Sequence, residues 1–477
     1  MKRDGCVRVG ASVLVAGFVV GCAWLAPKPA WELPPPPVRD SPVVDATRLH
    51  RATLSNGLHV IVLEDFRLPR IAAGVTVRRG AASEPLDRAG VATYTAELMQ
   101  RGAGGRDALA FARAIDDLGA AFDVSADWDS MSALVAGLSR DREPLLGLLA
   151  DVTLRPRLDR REGERARAEQ LAALESQKDE PAALARIEFA KVLYDGHRFG
   201  LPVAGTPETV AKLDAAAARG LHRELFVPGN AILFVAGDVR ADEFLAEAER
   251  VFGAWPVGPV PPLPEPPPKL VPPGRRVVVV DRPELGQAQI VLGHEGIARS
   301  DPQRFADSLM NNVLGGGGFS SRLMSSVRSD AGLTYSIGSA FSMRRAPGPF
   351  AVATFTRAPE ARRVIDLVLA QLEQMKVDPP TAEELRDAKS QTVGGFALGL
   401  ETSEAIVAAL VSLDAQGMRD DALNTYRASI RSVTTEDTAQ AARERLHPDR
   451  AGIVLVGPAS VLVPQLDSLG PVETVKP

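Results

Sequence analysis

Apolar residues run without a break at two places in the chain, and the two places match. Ala231-Ile-Leu-Phe-Val-Ala-Gly237 follows Pro228-Gly-Asn230, and Ala451-Gly-Ile-Val-Leu-Val-Gly457 follows Pro448-Asp-Arg450. Both read Pro-x-x-Ala, then an apolar run, with a glycine nine residues after the proline. Continuous apolar character over so short a stretch predicts a buried strand. Other segments follow the helical period. Phe111, Ile115 and Leu118 fall on one face ahead of Gly119 and Phe122, and Leu323 and Val327 stand in the same way ahead of Gly332 and Tyr335. Tyr335 lies 213 residues after Phe122, and Pro448 lies 220 after Pro228. Shared offsets of this kind point to an internal repeat.

The remaining pattern fills in both halves. Arg51–Glu64 alternates as a hairpin with Asn56-Gly57 at its turn. Val364, Val368, Leu372 and Met375 form a helical stripe that stops before Pro379-Pro380, and Thr381 with Glu384 then spells a capping box for the next helix. Alternating strands and helices predict an α+β fold of two homologous domains, each a mostly antiparallel sheet with helices packed on one face. The proline-rich stretch Pro256–Pro273 separates halves of ordinary domain size. The expected organisation is a signal peptide over 1–21, a lipidated proline-rich tether over 22–48, an N-terminal domain over 49–255, a linker over 256–274 and a C-terminal domain over 275–477.

Composition changes this picture mainly at the N-terminus. Lys2, Arg3 and Arg8 precede the apolar run Ala11–Val20, which is too short to span a bilayer and reads as an export signal. It ends in Val19-Val20-Gly21-Cys22, which resembles a bacterial lipobox, so Cys22 is the expected lipidation site. An ordinary signal peptide or an uncleaved anchor is the alternative. Ala26–Pro37 would be a stiff spacer. The two cysteines, Cys6 and Cys22, both lie in this leader, so the folded body has neither a disulfide nor a cysteine nucleophile. The net charge of −5 is spread along the chain, with no basic stripe to suggest nucleic acid.

Candidate chemistry centres first on Gly90–Gly102, GVATYTAELMQRG. Together with Leu54-Ser-Asn-Gly-Leu58, Gly80–Ala96, Gly196–Thr206, Pro228–Asp238 and Leu314–Tyr335, in that order, it resembles the pitrilysin/insulinase-type metallopeptidases over residues 50–460. That family carries an inverted zinc motif, His-x-x-Glu-His, in this segment. Here the first His position holds Thr93, the Glu position Ala96 and the second His position Glu97. A threonine and an alanine cannot replace an imidazole ligand and a general base. The third ligand of the family, a Glu on a later helix, falls at Ala172 or Ala173, flanked by Glu169 and Glu175, which read as solvated positions. The six histidines, at 50, 59, 197, 222, 294 and 447, show no pair at ligand spacing. His197 matches a family motif but reads as a turn residue, and Glu97 as a polar helix position. No metal is expected to bind this chain.

The second half keeps what the first has lost. Asn312–Leu323 holds four glycines, Gly315, Gly316, Gly317 and Gly318, followed by Phe319. No Gly-Lys-Ser/Thr follows, which argues against a phosphate loop. The glycines would allow close backbone approach and a mobile lid, and Ser320 or Ser321 could cap the helix that follows. The resemblance places Gly315–Gly318 and Phe319 at the mouth of a substrate chamber. It also matches Arg328 and Tyr335 to a family pair in which Arg donates to substrate carbonyls and Tyr to the oxyanion. Their repeat counterparts, Ile115 and Phe122, are apolar, so the fold itself does not call for Arg328 or the Tyr335 hydroxyl.

Taken together, the resemblance implies one clamshell half of a heterodimeric periplasmic zinc peptidase. This chain would be inactive alone and would lend Arg328 and Tyr335 to a homologous zinc-bearing subunit acting on peptides, anchored by lipid at the outer membrane. The alternatives are a catalytically inert peptide-binding or scaffold protein of the envelope, and a zinc enzyme with atypical ligands.

Overall fold

The computed structural model describes residues 42–267, 274–419 and 421–476. The signal segment, Cys22 and the Ala26–Pro37 spacer lie outside the described residues. Residues 43 onward form one compact unit.

Two six-stranded sheets carry the repeat. The first comprises β1 (Leu49–Thr53), β2 (His59–Glu64), β3 (Arg70–Val77), β4 (Ala121–Ala126), β5 (Met131–Leu138) and β6 (Ala231–Gly237), in the order β1-β2-β6-β3-β5-β4. The second comprises β7 (Arg276–Asp281), β8 (Gln287–Glu295), β9 (Ile337–Phe341), β10 (Pro349–Arg357), β11 (Gly452–Gly457) and β12 (Val472–Val475), in the order β12-β7-β11-β8-β10-β9. Five strands correspond one to one. The sixth, at the same edge, comes from the start of the chain in one sheet (β1) and from its end in the other (β12). Among the described strands, only β2–β6, β7–β11 and β7–β12 pair in parallel. The two apolar runs are β6 and β11, each central in its sheet. The β1–β2 hairpin turns over Leu54–Leu58, with Gly57 at φ +87°.

Helices of eight residues or more are numbered here. In the first half they are α1 (Val91–Met99), α2 (Ala108–Asp116), α3 (Arg142–Leu154), α4 (Arg160–Lys178), α5 (Pro181–Leu193), α6 (Ala215–Leu225) and α7 (Ala241–Phe252). In the second they are α8 (Arg304–Asn311), α9 (Ala361–Val377), α10 (Ala382–Leu398), α11 (Ser403–Ala415), α12 (Ala422–Ser432) and α13 (Thr435–Arg445). Thr381 and Glu384 close the expected capping box on α10, and the stripe Val364, Val368, Leu372 and Met375 is buried along α9.

The main helical layer covers one face of each sheet. Val60, Val62, Val75, Leu233 and Val235 pack on the first-half helices, and Val277, Ile290, Leu292, Ile453 and Leu455 on those of the second. The opposite faces are also covered, each by a helix from the other half. Ile61, Leu63, Ile232, Phe234 and Ala236 bury against Val407, Leu410 and Val411 of α11. Val278, Val280, Val291, Val454 and Val456 bury against Leu184, Ala185 and Phe189 of α5. This exchange explains why β6 and β11 are apolar at every position, since alternate side chains meet a helix on each side. The linker is not a free tether at its start. Arg79, itself buried, donates to the carbonyls of Pro261 and Pro262.

Candidate functional site

In the first half, the helix at which the metal motif was sought is α1. Its N-terminus is fixed by two independent devices. Gly90, at φ +94°, and Gly205, at φ +79°, cross so closely that a Cβ on either would lie within 2.5 Å of the other segment's carbonyl. Two of the recognised motifs are therefore one contact. Glu84, buried, accepts from the Gly90 and Ala92 amides and from Arg198, whose guanidinium lies 2.6 Å away and is also buried. A carboxylate against the first amides of a helix opposes both their lack of partners and the helix dipole. Burial pushes the Glu84 proton affinity up, while Arg198 and the two amides oppose that shift.

The three ligand positions on α1 do not converge on a metal site. Thr93 donates to the carbonyl of Val203 at 3.3 Å, and Ala96 is buried in the core. Glu97 faces solvent, 3.7 Å from Arg101, and Arg101 also pairs with Glu169 of α4 at 2.6 Å. A guanidinium thus bridges carboxylates of α1 and α4, and it holds the Glu169 carboxyl below its usual range. Glu175 pairs with Lys178 at 2.9 Å, and Ala172 and Ala173 are exposed. His197 accepts from the Phe199 amide and packs edge-on against the Phe199 ring, capping a short turn. His294 and His447 do meet, with ring centres 5.2 Å apart, but His294 Nδ1 faces the Glu295 carbonyl and Nε2 accepts from the His447 amide. Among the described residues no group of three His, Cys, Asp or Glu could hold a metal ion. The residues present do not fit zinc, because no base and no converging imidazoles stand at the motif.

In the second half the predicted residues do converge. Helix α8 continues into a π-helical turn, Asn312–Gly316, and a second one spans Met324–Asp330. Wide turns of this kind are rare and concentrate at functional sites. Between them the glycine-rich loop brings Phe319 to Arg328. The Arg328 guanidinium lies 4.7 Å from the Phe319 ring centre and 4.8 Å from that of Tyr335. Phe319 is 76% exposed and Tyr335 72%, values extreme for large aromatic residues. Arg328 forms no ion pair among the described residues. Each exposed cation–π contact contributes about 0.5–1 kcal/mol, less than the ~1.5–3 kcal/mol of a hydrogen bond to a charged group. Arg328 is held in place yet can turn to a better acceptor.

The repeat shows how Tyr335 reaches solvent. Gly119 and Gly332 both adopt left-handed φ, +57° and +64°. Three residues later Phe122 lies within β4, paired with Val135 and packed on Phe111 at 5.3 Å. In the second half β9 begins only at Ile337. Hydroxyls of β10 take the place of the missing ladder: Thr356 donates to the Leu333 carbonyl, and Thr354 Oγ1 lies 2.9 Å from the Ser336 carbonyl and 3.0 Å from Thr334 Oγ1. This polar knot holds residues 333–336 off the strand path and turns Tyr335 outward.

The glycine loop corrects two expectations. Gly315 and Gly317 are buried, and a Cβ on Gly315, Gly316 or Gly317 would approach Ser339 Oγ at 2.4 Å, Asn311 Nδ2 at 2.9 Å or Asn312 O at 2.7 Å. These three glycines pack the loop down rather than free it as a lid. Gly318, at φ +69° with open space around it, is the turn that presents Phe319. Ser320 and Ser321 do not cap the next helix, because their hydroxyls fold back onto the carbonyls of Gly317 and Gly318. Sequence reading missed Glu84, Arg198, Asn311 and Ser339. The last two bond to each other through side chain and backbone and anchor the loop. Glu84 and Arg198 lie inside recognised motifs, whereas Asn311 and Ser339 lie just outside them and carried no sequence signal.

Comparison with known proteins now decides the family. Residues 60–207 match Insulinase (Peptidase family M16), and residues 212–392 match the Peptidase M16 inactive domain. The solved peptidase M16 inactive domain from Pseudomonas fluorescens is 30% identical, with a TM-score of 0.80 over 86% of this chain and 98% of that one. The chain belongs to the M16 peptidase family. A protease from Helicobacter pylori shares the M16-like fold at a TM-score of 0.79 and 20% identity, over 86% of this chain and 99% of that one. Among curated relatives, the uncharacterized zinc protease YmxG of Bacillus subtilis is 24% identical over 74% of this chain and 85% of its own. An uncharacterized zinc protease of Streptomyces coelicolor is 27% identical over 86% of this chain and 90% of its own. The M16 inactive-domain match starts within the first half, ahead of α6 and β6, so it does not coincide with the division between the two sheets.

Proposed function

We propose that this M16 chain is the zinc-free subunit of a heterodimeric peptidase on the periplasmic side of the bacterial envelope. It is tethered through lipid on Cys22, and zinc is held by a homologous sister chain. The observation that carries the reading is the contrast between the halves. The metal positions hold Thr93, Ala96 and an ion-paired Glu97, while half-buried Arg328 and exposed Tyr335 stand together, with no side-chain acceptor among the described residues that would explain them. In this reading the sister subunit supplies the metal and the base. Arg328 donates to substrate carbonyls, and the Tyr335 hydroxyl donates where negative charge develops on the attacked carbonyl oxygen. The packed glycine loop and Phe319 form the wall along which the peptide lies.

The test is purification from native membranes, metal analysis, and peptide cleavage by the recovered complex. A zinc-bearing homologue should co-purify, and Arg328→Ala with Tyr335→Phe should depress cleavage. Cleavage unchanged in that double variant sinks the proposal, as does recovery of the chain without any such homologue.

A further inference from the structure

The second half contains a second concave feature that shares no residue with the Phe319–Arg328–Tyr335 face. A cleft of about 300 Å³ opens among α8, α10, α11 and α12. Three aromatic rings build one wall. Tyr426 stacks on Phe396 at 4.2 Å with an interplanar angle of 22°, and Phe305 meets Tyr426 edge-on at 5.7 Å. Leu413 continues the apolar lining. Two guanidiniums enter the same space. Arg304 lies 4.2 Å over the Phe305 ring, and Arg299 lines the cleft beside it.

The charge in this cleft is unbalanced. Among the described residues no Asp or Glu lines it. Arg299 donates to the neutral side-chain oxygen of Gln416 at 3.0 Å, and Arg304 to the backbone carbonyl of Asp301 at 3.2 Å. Neither arginine forms an ion pair among the described residues. The nearby carboxylates are engaged elsewhere: Asp301 by Arg445 at 2.9 Å, Asp414 by Arg78 at 2.7 Å and Asp421 by Arg419 at 3.0 Å. Burial and the adjacent Arg299 both disfavour the charge on Arg304 and outweigh the opposing influence of Asp301 and Tyr426. Two half-buried like charges above an aromatic floor are relieved by one anion, and a guanidinium pair suits a carboxylate geometrically. The rings and Leu413 want an apolar body attached to that anion. At ~30 Å³ per water-sized group the space holds about ten such groups, the size of one residue or a short alkyl chain.

We propose that this cleft binds a small apolar monocarboxylate: a free carboxylate on one hydrophobic residue, as at a peptide C-terminus, or on a short fatty acid. The proposal does not depend on the zinc-bearing sister chain.

The experiment is calorimetric titration of the full chain with N-acetyl-leucine, with octanoate and with N-acetyl-leucinamide. At least one acid should bind, the amide should bind at least about tenfold more weakly, and Arg299→Gln/Arg304→Gln should weaken acid binding by a similar factor. The tighter acid names the source, peptide end or fatty acid. Equal binding of acid and amide, failure of both acids to bind, or full binding by the double variant overturns the proposal. Should the double variant not fold, as judged by its melting curve, Arg299→Gln and Arg304→Gln are titrated singly, and undiminished acid binding in both is equally fatal.

Discussion

Helices α1 and α8 hold the same place in the two halves. Each follows the second of the five shared strands in chain order, β3 or β8, and each lies against a later helix of its own half, α6 or α13. Their fates differ. Helix α1 ends as plain structure: its N-terminus is fixed by Glu84 and by the Gly90–Gly205 crossing, its ligand positions are filled by a hydroxyl, a methyl and a salt bridge. Helix α8 runs on through a π-helical turn into a packed glycine loop that presents an aromatic residue to an unpaired arginine. A duplicated scaffold has thus kept packing in one copy and a solvent-facing arginine–aromatic cluster in the other. The comparison teaches that loss of a site is recognised by where the side chains now find partners. On α1 all three positions have them; at Arg328 and Tyr335 no side-chain acceptor is found among the described residues.

The largest expected effect tests whether α1 is held by structure alone. Arg198→Ala leaves Glu84 buried without its cation and should cost about 3–5 kcal/mol, read as a lower midpoint in chemical denaturation. An unchanged midpoint would show that the first half does not depend on that pair. Next, if the proposed function holds, Tyr335→Phe removes one oxyanion donor from the proposed complex and should lower its cleavage by roughly 10²–10³-fold, with the unfolding midpoint moved by no more than ~0.5 kcal/mol. A large stability loss would make Tyr335 a packing residue like Phe122 and erase the contrast between the halves.

A third test uses pH. Asp307 on α8 is fully buried, with neither oxygen hydrogen-bonded, and burial pushes its carboxyl up to about 7 despite Arg445 at 3.5 Å; Asp301 and Glu444 push it the same way. Between about 4 and 7 the folded state keeps a proton that the unfolded chain has released, so this group makes stability fall as pH rises. His294, lowered to about 4 by burial, acts oppositely: from about 4 to 6.5 the unfolded chain binds the extra proton, and stability rises with pH. Asp307→Asn should therefore unmask a rise in stability between roughly pH 4.5 and pH 6.5. Urea midpoints at the two values decide it, and a pH dependence identical to that of the unsubstituted protein would refute the assignment. The smallest effect concerns the bridge that stands at the old metal position. Arg101→Ala should cost less than about 1 kcal/mol, because Glu97 and Glu169 are largely solvated, and a thermal melt should barely move. A loss of several kcal/mol would mean that the guanidinium has taken over the structural role of an ion.

The chain's own pattern determined a good deal. Local periodicity and turn chemistry gave the repeat, the central strands β6 and β11, the α9 stripe and the α10 capping box, because each is decided by neighbours a few residues apart. The loss of the ligands at Thr93 and Ala96 was equally plain, since side-chain chemistry alone excludes them. Tertiary structure decided what depends on distant partners. The exchange of α5 and α11 between sheets could not be read from sequence, because an apolar helix face suits either sheet and only the folded chain brings the two together. Glu84 finds Arg198 across 114 residues, and no local rule pairs them. Arg328 and Tyr335 were named from their motif, but the exposure of Tyr335, and the Phe319 ring on the other side of the Arg328 guanidinium, follow from a strand that starts three residues late and a glycine loop packed down except at its Gly318 turn.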